Sequence, residues 1–197
     1  SIDHAVVLPS SAGILATVAS ERDTVSFIID RPRQVCLIVN QNMGAPLCIF
    51  ADPPEINPPT GPSESVVYFG PGVHRVPSGT INVTANQSVY LAGGAHVYGQ
   101  VRATGVRWNG FWVGGAPCDN IRVFGRGVLD GHDIPIDYRA HAMIELPACS
   151  SIQVEGVTTI DSPQYQLNNL NPSGVVSWAK AIAWGFSTDG WSGGEHV

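Results

Sequence analysis

Charge is scarce in this chain. Asp, Glu, Lys and Arg make up 13% of its 197 residues, and Lys plus Arg number only 10. The cations are scattered singly and the net charge is −6. That excludes a nucleic-acid surface, because neutralising phosphates requires clustered Lys and Arg. No apolar run reaches membrane-spanning length, so no membrane partner is expected. Stretches with a clean 3.6-residue hydrophobic period are also missing, which argues against helices. The four cysteines (Cys36, Cys48, Cys118, Cys149) show no CxxC spacing, so a zinc site is not expected. Neither a metal nor a cofactor is implied.

Glycine (22) and proline (15) are plentiful instead, and β-branched residues recur in short runs. This is the composition of many short strands joined by tight turns, since Gly and Pro punctuate strands and interrupt helices. The segment from Ala5 to Ala19 is mildly apolar without a basic leader, and reads as the first strand of a mature domain rather than a signal peptide.

Segments of the chain match one another at spacings of one to one and a half solenoid turns. Val67-Tyr-Phe-Gly-Pro-Gly-Val-His74 aligns with Val89-Tyr-Leu-Ala-Gly-Gly-Ala-His96 at an offset of 22. The latter, continued to Gly99, aligns with Ile121 to Gly131 at an offset of 32, and Ile121 to Asp130 aligns with Ile152 to Asp161 at 31. Weaker echoes follow at Val175 to Trp184 and at Val197. Each unit is a short alternating strand, a Gly-rich corner and a second short strand. A variable period around a constant motif is the mark of a β-solenoid, whose extra residues go into corner loops. A β-sandwich also repeats strands and turns, but it does not predict matches that stay in register over eleven residues. The expectation is an all-β protein: an incomplete right-handed parallel β-helix over residues 63–197. It expects Val67, Val89, Ile121 and Ile152 to stack along one axis.

Residues 1–62 do not join this register. Val25 to Ile29, Val35 to Val39 and Leu47 to Phe50 read as strands, the first two broken by Arg31-Pro32-Arg33. Asp52 to Pro62 is a stiff proline-rich linker. A small antiparallel β-sandwich followed by a linker is expected. Cys36 and Cys48 flank a turn-rich segment and are candidates either for a cross-strand disulfide or for two buried free thiols. The sequons at Asn82 and Asn86 offer two glycosylation sites and fit a secreted protein.

Taken in order, Val67 to His74, Val89 to Gly99, Gly125-Arg-Gly-Val-Leu-Asp-Gly131, Asp161-Ser-Pro-Gln-Tyr-Gln166 and Ser187-Thr-Asp-Gly190 resemble the polygalacturonase-like glycoside hydrolases of family 28 with an N-terminal β-sandwich. The dextranase and isopullulanase family 49 shares the architecture and a similar Thr-Asp-Gly element. The resemblance implies hydrolysis of a polysaccharide glycosidic bond with inversion, by three aspartates on neighbouring coils. Asp189 matches the first of these, with Ser187 where the family has Asn. The other two, an Asp-Asp pair, would fall beyond Val197, so the chain by itself is expected to be inactive. A Thr-Asp-Gly turn in a non-catalytic carbohydrate-binding or adhesin-like β-helix is the rival reading.

Trp191 follows as a candidate sugar-stacking residue, or else as a cover for a core end. Tyr165 and Gln166, one coil earlier, occupy the place of a family Ser-Pro-x-x-His element and are candidates for substrate contact or for a structural role. His74 and His96 read as a stacked structural pair, and Asp130 and Asp161 as equivalent corner residues. The polar insertion carrying His132, Asp133, Asp137 and His141 has no metal-ligand spacing.

Overall fold

The computed structural model describes residues 1–103, 107–108, 111–112, 118–135, 142–146, 149–168, 174–182 and 190–192, with the backbone alone at 107–108, 111–112, 118 and 191–192. The chain divides into two compact units, Ser1–Ile56 and Asn57–Val197. The division falls inside the proline-rich linker rather than at its end. Stacked prolines cannot pair in a sheet, so few contacts cross there.

The first unit is antiparallel. Arg33–Val39 is the central strand, with Ala5–Leu8 on one side and Leu47–Ala51 on the other. A short hairpin, Thr17–Val18 with Val25–Ser26, supplies the second layer. Alternation along the strands turns Val7, Val35 and Leu37 to one face, where Ile14, Ala16, Val25, Phe27 and Ile29 pack on them. The central strand starts at Arg33, the last residue of the expected break, and the expected strand from Val25 to Ile29 is reduced to two residues.

The second unit is a parallel β-helix. Its first sheet stacks Val66–Phe69, Ser88–Leu91, Arg122–Gly125, Ile152–Glu155 and Gly174–Ser177 in parallel. The second stacks the first part of Gly72–Val83 and of Ala95–Ala103, then Val128–Asp130, Thr158–Ile160 and Lys180–Ile182. The strand Ala95–Ala103 then bends at Gly99 (φ +151°) and continues into a third face, paired with Ile144–Glu145; Leu167–Asn168 and Trp191–Ser192 follow. A Cβ at Gly99 would come within 3.0 Å of the Val76 side chain, so both its φ and its surroundings favour glycine. Every second residue faces the interior. Val89, Val97, Val101, Val123 and Leu129 are fully buried, each contributing about 1.5–3 kcal/mol of hydrophobic stabilisation. On the outer side of the first sheet Tyr68, Tyr90 and Phe124 stack in sequence, with centroids 5.5 and 4.9 Å apart. One 3-10 turn and no α-helix occur among the described residues.

The inner column of the first sheet is Val67, Val89, Val123, Val154 and Val176. The coils stack as expected, but Ile121 and Ile152 lie two residues ahead of this column. The reason is the corner between the first two sheets. It runs from Leu91 to Ala95 in one coil and only from Gly125 to Gly127 in the next, so one fixed offset cannot fit both strands.

Similar slips separate other expected pairs. His74 stands beside Val97, not His96, because the second-sheet offset between these coils is 23 and not 22. A one-residue slip moves a side chain to the opposite face. His74 therefore donates to the Gly70 carbonyl at 2.7 Å and meets Phe69 edge-on, while His96 stacks on Tyr98. Asp130 stands beside Ile160 within a strand; Asp161 is a corner residue at φ +52°.

Candidate functional site

The third face carries a pattern of apolar–polar dipeptides in register: Ile81-Asn82, Val101-Arg102, Ile144-Glu145, Leu167-Asn168 and Trp191-Ser192. The apolar members Ile81, Val101, Ile144 and Leu167 enter the core. The polar members form a second column, in which Glu145 is fully buried between Arg102 and Asn168. A buried carboxylate needs charge or hydrogen-bond compensation, and Arg102 occupies the register position one coil away. Arg102, Glu145 and Asn168 were not foreseen from sequence. Their signal is the repeated dipeptide, hidden by segments of unequal length between its occurrences.

Trp191 has its backbone paired with Leu167, which puts position 191 in register with the apolar column. Asp189, with Ser187 and Thr188, lies outside the described residues. Gly190 is described: with Gln166, Leu167, Ile144 and Thr159 it lines a cavity of about 250 Å³. Gln166 is 1% exposed, and its Nε2 donates to the Ile182 carbonyl at 3.4 Å. That bond ties one coil to the next. Tyr165 is half-buried, and its carbonyl accepts hydrogen bonds from the Ser162 hydroxyl at 2.7 Å and from the Met143 N–H at 3.0 Å. Lys180 lines the same cavity, but its Nζ donates to the Gly156 carbonyl and is largely buried.

A separate polar group sits on the outer side of the second sheet. His96 Nε2 donates to Asp130 Oδ2 at 2.6 Å, and Asp130 Oδ1 accepts the His132 N–H at 2.8 Å. His132 Nδ1 meets Asp161 at 3.1 Å, and Arg75 pairs with Asp133 and lies over the Tyr98 ring at 4.1 Å. His132 is thus engaged by the next coil and Asp133 by a coil two steps back; Asp137 and His141 lie outside the described residues. Among the described residues no three His, Cys, Asp or Glu side chains converge as a metal ion would require.

The two sequon asparagines are both exposed. Asn86 occupies a left-handed corner (φ +62°), and its Oδ1 accepts from Asn120 Nδ2 at 3.0 Å, Asn120 being the same corner one coil on (φ +57°). Asparagine is favoured there because its short polar side chain tolerates positive φ. Cys36 and Cys48 face each other directly across two strands, as a disulfide would need, but they are two free thiols with Sγ atoms 3.1 Å apart. Cys36 is partly covered and Cys48 is exposed, so neither is buried; the strand Leu47–Ala51 is the edge of its sheet. Cys149 is disulfide-bonded, and the position in register with it is Cys118.

No family model and no curated protein matches the chain. Among solved structures it is similar to Dex49A from Penicillium minioluteum, with a TM-score of 0.66 and 19% identity. The match covers 97% of this chain and 45% of that one, so this chain spans under half the length of Dex49A. What the two share is a fold, the parallel β-helix.

Proposed function

We propose that this chain is part of a polysaccharide-hydrolysing β-helix enzyme in which Asp189 supplies one carboxylate. The observation that carries the reading is the stack itself. The strand immediately after Asp189, Trp191–Ser192, is paired in register with Leu167–Asn168 on the face that bears the polar column. Adjacent coils lie about 4.8 Å apart. Carboxylates two coils apart, or one coil apart with a lateral offset, therefore fall near the separation of about 6.5–9.5 Å that an inverting glycosidase needs between acid and base. Dex49A from Penicillium minioluteum has a similar fold.

In this reading the general acid and second base come from coils after residue 197, and the 197-residue chain does not turn over substrate. One carboxylate cannot both protonate the leaving oxygen and activate the water. A neutral glucan fits better than a pectic polyanion. A uronate needs an available cation, whereas Lys180 is committed to a backbone carbonyl and Arg102 stands beside Glu145. Export and glycosylation at Asn82 and Asn86 belong to the same proposal.

The test is release of reducing ends from dextran, pullulan and polygalacturonate. The 197-residue chain should give none, and turnover by it would refute the division of the site. A longer form carrying the following coils should hydrolyse a neutral glucan, with Asp189→Asn lowering kcat about 100- to 10,000-fold. Glycan binding without turnover in both forms would establish the rival reading, a non-catalytic binding module.

A further inference from the structure

Cys36 and Cys48 are register partners on the central and edge strands of the N-terminal sheet. Antiparallel partners have Cα atoms about 4.5–5.5 Å apart, within the span a disulfide bridges, so a bond between them needs no backbone movement. The sulfurs already touch, at 3.1 Å. Cys48 is exposed while Cys36 is partly covered, so a small oxidant meets Cys48 first. The Cys36 thiol is pushed up from its usual value, chiefly by its hydrogen bond to Cys48, then by burial and by the neighbouring charge. Access therefore makes Cys48 the sulfur that meets an oxidant from solvent, with Cys36 in contact behind it.

We propose that this pair is a reversible dithiol–disulfide site, with Cys48 as the attacking sulfur and Cys36 as the resolving one. With oxidised glutathione as oxidant, the Cys48 thiolate attacks one glutathione sulfur, forming a mixed disulfide and releasing one glutathione thiolate. The Cys36 sulfur, losing its proton, then attacks Cys48 and expels the second glutathione. Two protein S–H bonds are lost and one S–S bond forms. Two electrons and two protons reduce the glutathione disulfide to two thiols. The new bond pins the edge strand Leu47–Ala51 to the sheet and closes the segment that carries Met43. It also fixes one wall of a groove of about 600 Å³ lined by Leu8, Val35, Ile38, Met43 and Phe50.

The full chain is incubated with oxidised glutathione, quenched with acid, and read by intact mass and peptide mapping. Wild type should lose two hydrogens, retain no glutathione, and show a new Cys36–Cys48 crosslink that dithiothreitol reverses. Cys36→Ser should hold one glutathione on Cys48, and Cys48→Ser should react about tenfold more slowly. Limited alkylation of the wild type with iodoacetamide gives a reading independent of any variant: Cys48 is labelled before Cys36. Wild type that retains glutathione without closing would overturn the proposal. So would equal reactivity of the two variants, or Cys36 labelled first.

Discussion

Gly125 and Gly72 form a matched pair for testing whether the coils press on one another as described. Their backbones are almost identical, at φ +123° and +124°. A Cβ on Gly72 would have no neighbour within 4 Å. A Cβ on Gly125 would overlap the carbonyl oxygen of Leu91, its register partner on the preceding coil, and lie 2.7 Å from that carbonyl carbon. Both alanine substitutions carry the strain of an L-residue in this region, about 1–3 kcal/mol. Only Gly125→Ala adds overpacking against backbone, which no rotamer change relieves, for about 1–3 kcal/mol more. All five tryptophans lie in the Asn57–Val197 unit, so their fluorescence follows that unit alone. With a urea slope of about 2 kcal/mol per molar, Gly125→Ala should unfold about 0.5–1.5 M earlier than Gly72→Ala. Coincident midpoints with equal slopes would refute the close stacking of these two coils.

Two further outcomes follow from polar groups. Asp130→Ala removes the acceptor of both His96 and the His132 N–H, and should destabilise the β-helix by about 1 kcal/mol, since water reaches the partly exposed His96; no shift in the tryptophan-detected midpoint would show the pair to be idle. Glu21 is held below the ordinary carboxylate range by hydrogen bonds from its own backbone N–H and then from Ser20. Such a depressed group favours the folded state above the unfolded pKa, and the advantage fades as pH falls through the folded value. An NMR titration should therefore place the Glu21 midpoint below that of an unstructured peptide, and Ser20→Ala should raise it; a midpoint at the peptide value would contradict the hydrogen bonds.

The strands of the solenoid were legible because alternation and glycine corners write themselves into each coil. Their register was legible only where the corners have equal length. Arg122 pairs with Gln153 at the expected offset of 31, whereas Val89 pairs with Val123, two residues beyond the expected partner. The extra residues at Gly93 and Gly94 are enough to displace every alignment that crosses them. Burial was harder to read than position. Gln166 reads from its motif as a substrate contact or a structural residue, and nothing in the sequence says that it is 1% exposed. Glu145 escaped notice because a lone carboxylate after an isoleucine carries no signal until its neighbours on other coils are known. Asp189 rests on the family resemblance and on the strand that follows it.

Those unequal corners have an evolutionary corollary. Hydrogen bonding fixes the rungs, so a strand can change in side chain but scarcely in length; a corner projects outward and can gain or lose residues without lifting the rung above. In such a protein added residues go to the edges of the ladder. Two chains can then differ at four positions in five, as here, and still share a fold. New binding surfaces would be expected to arise at the rims of the ladder, where length is free, and not on its rungs.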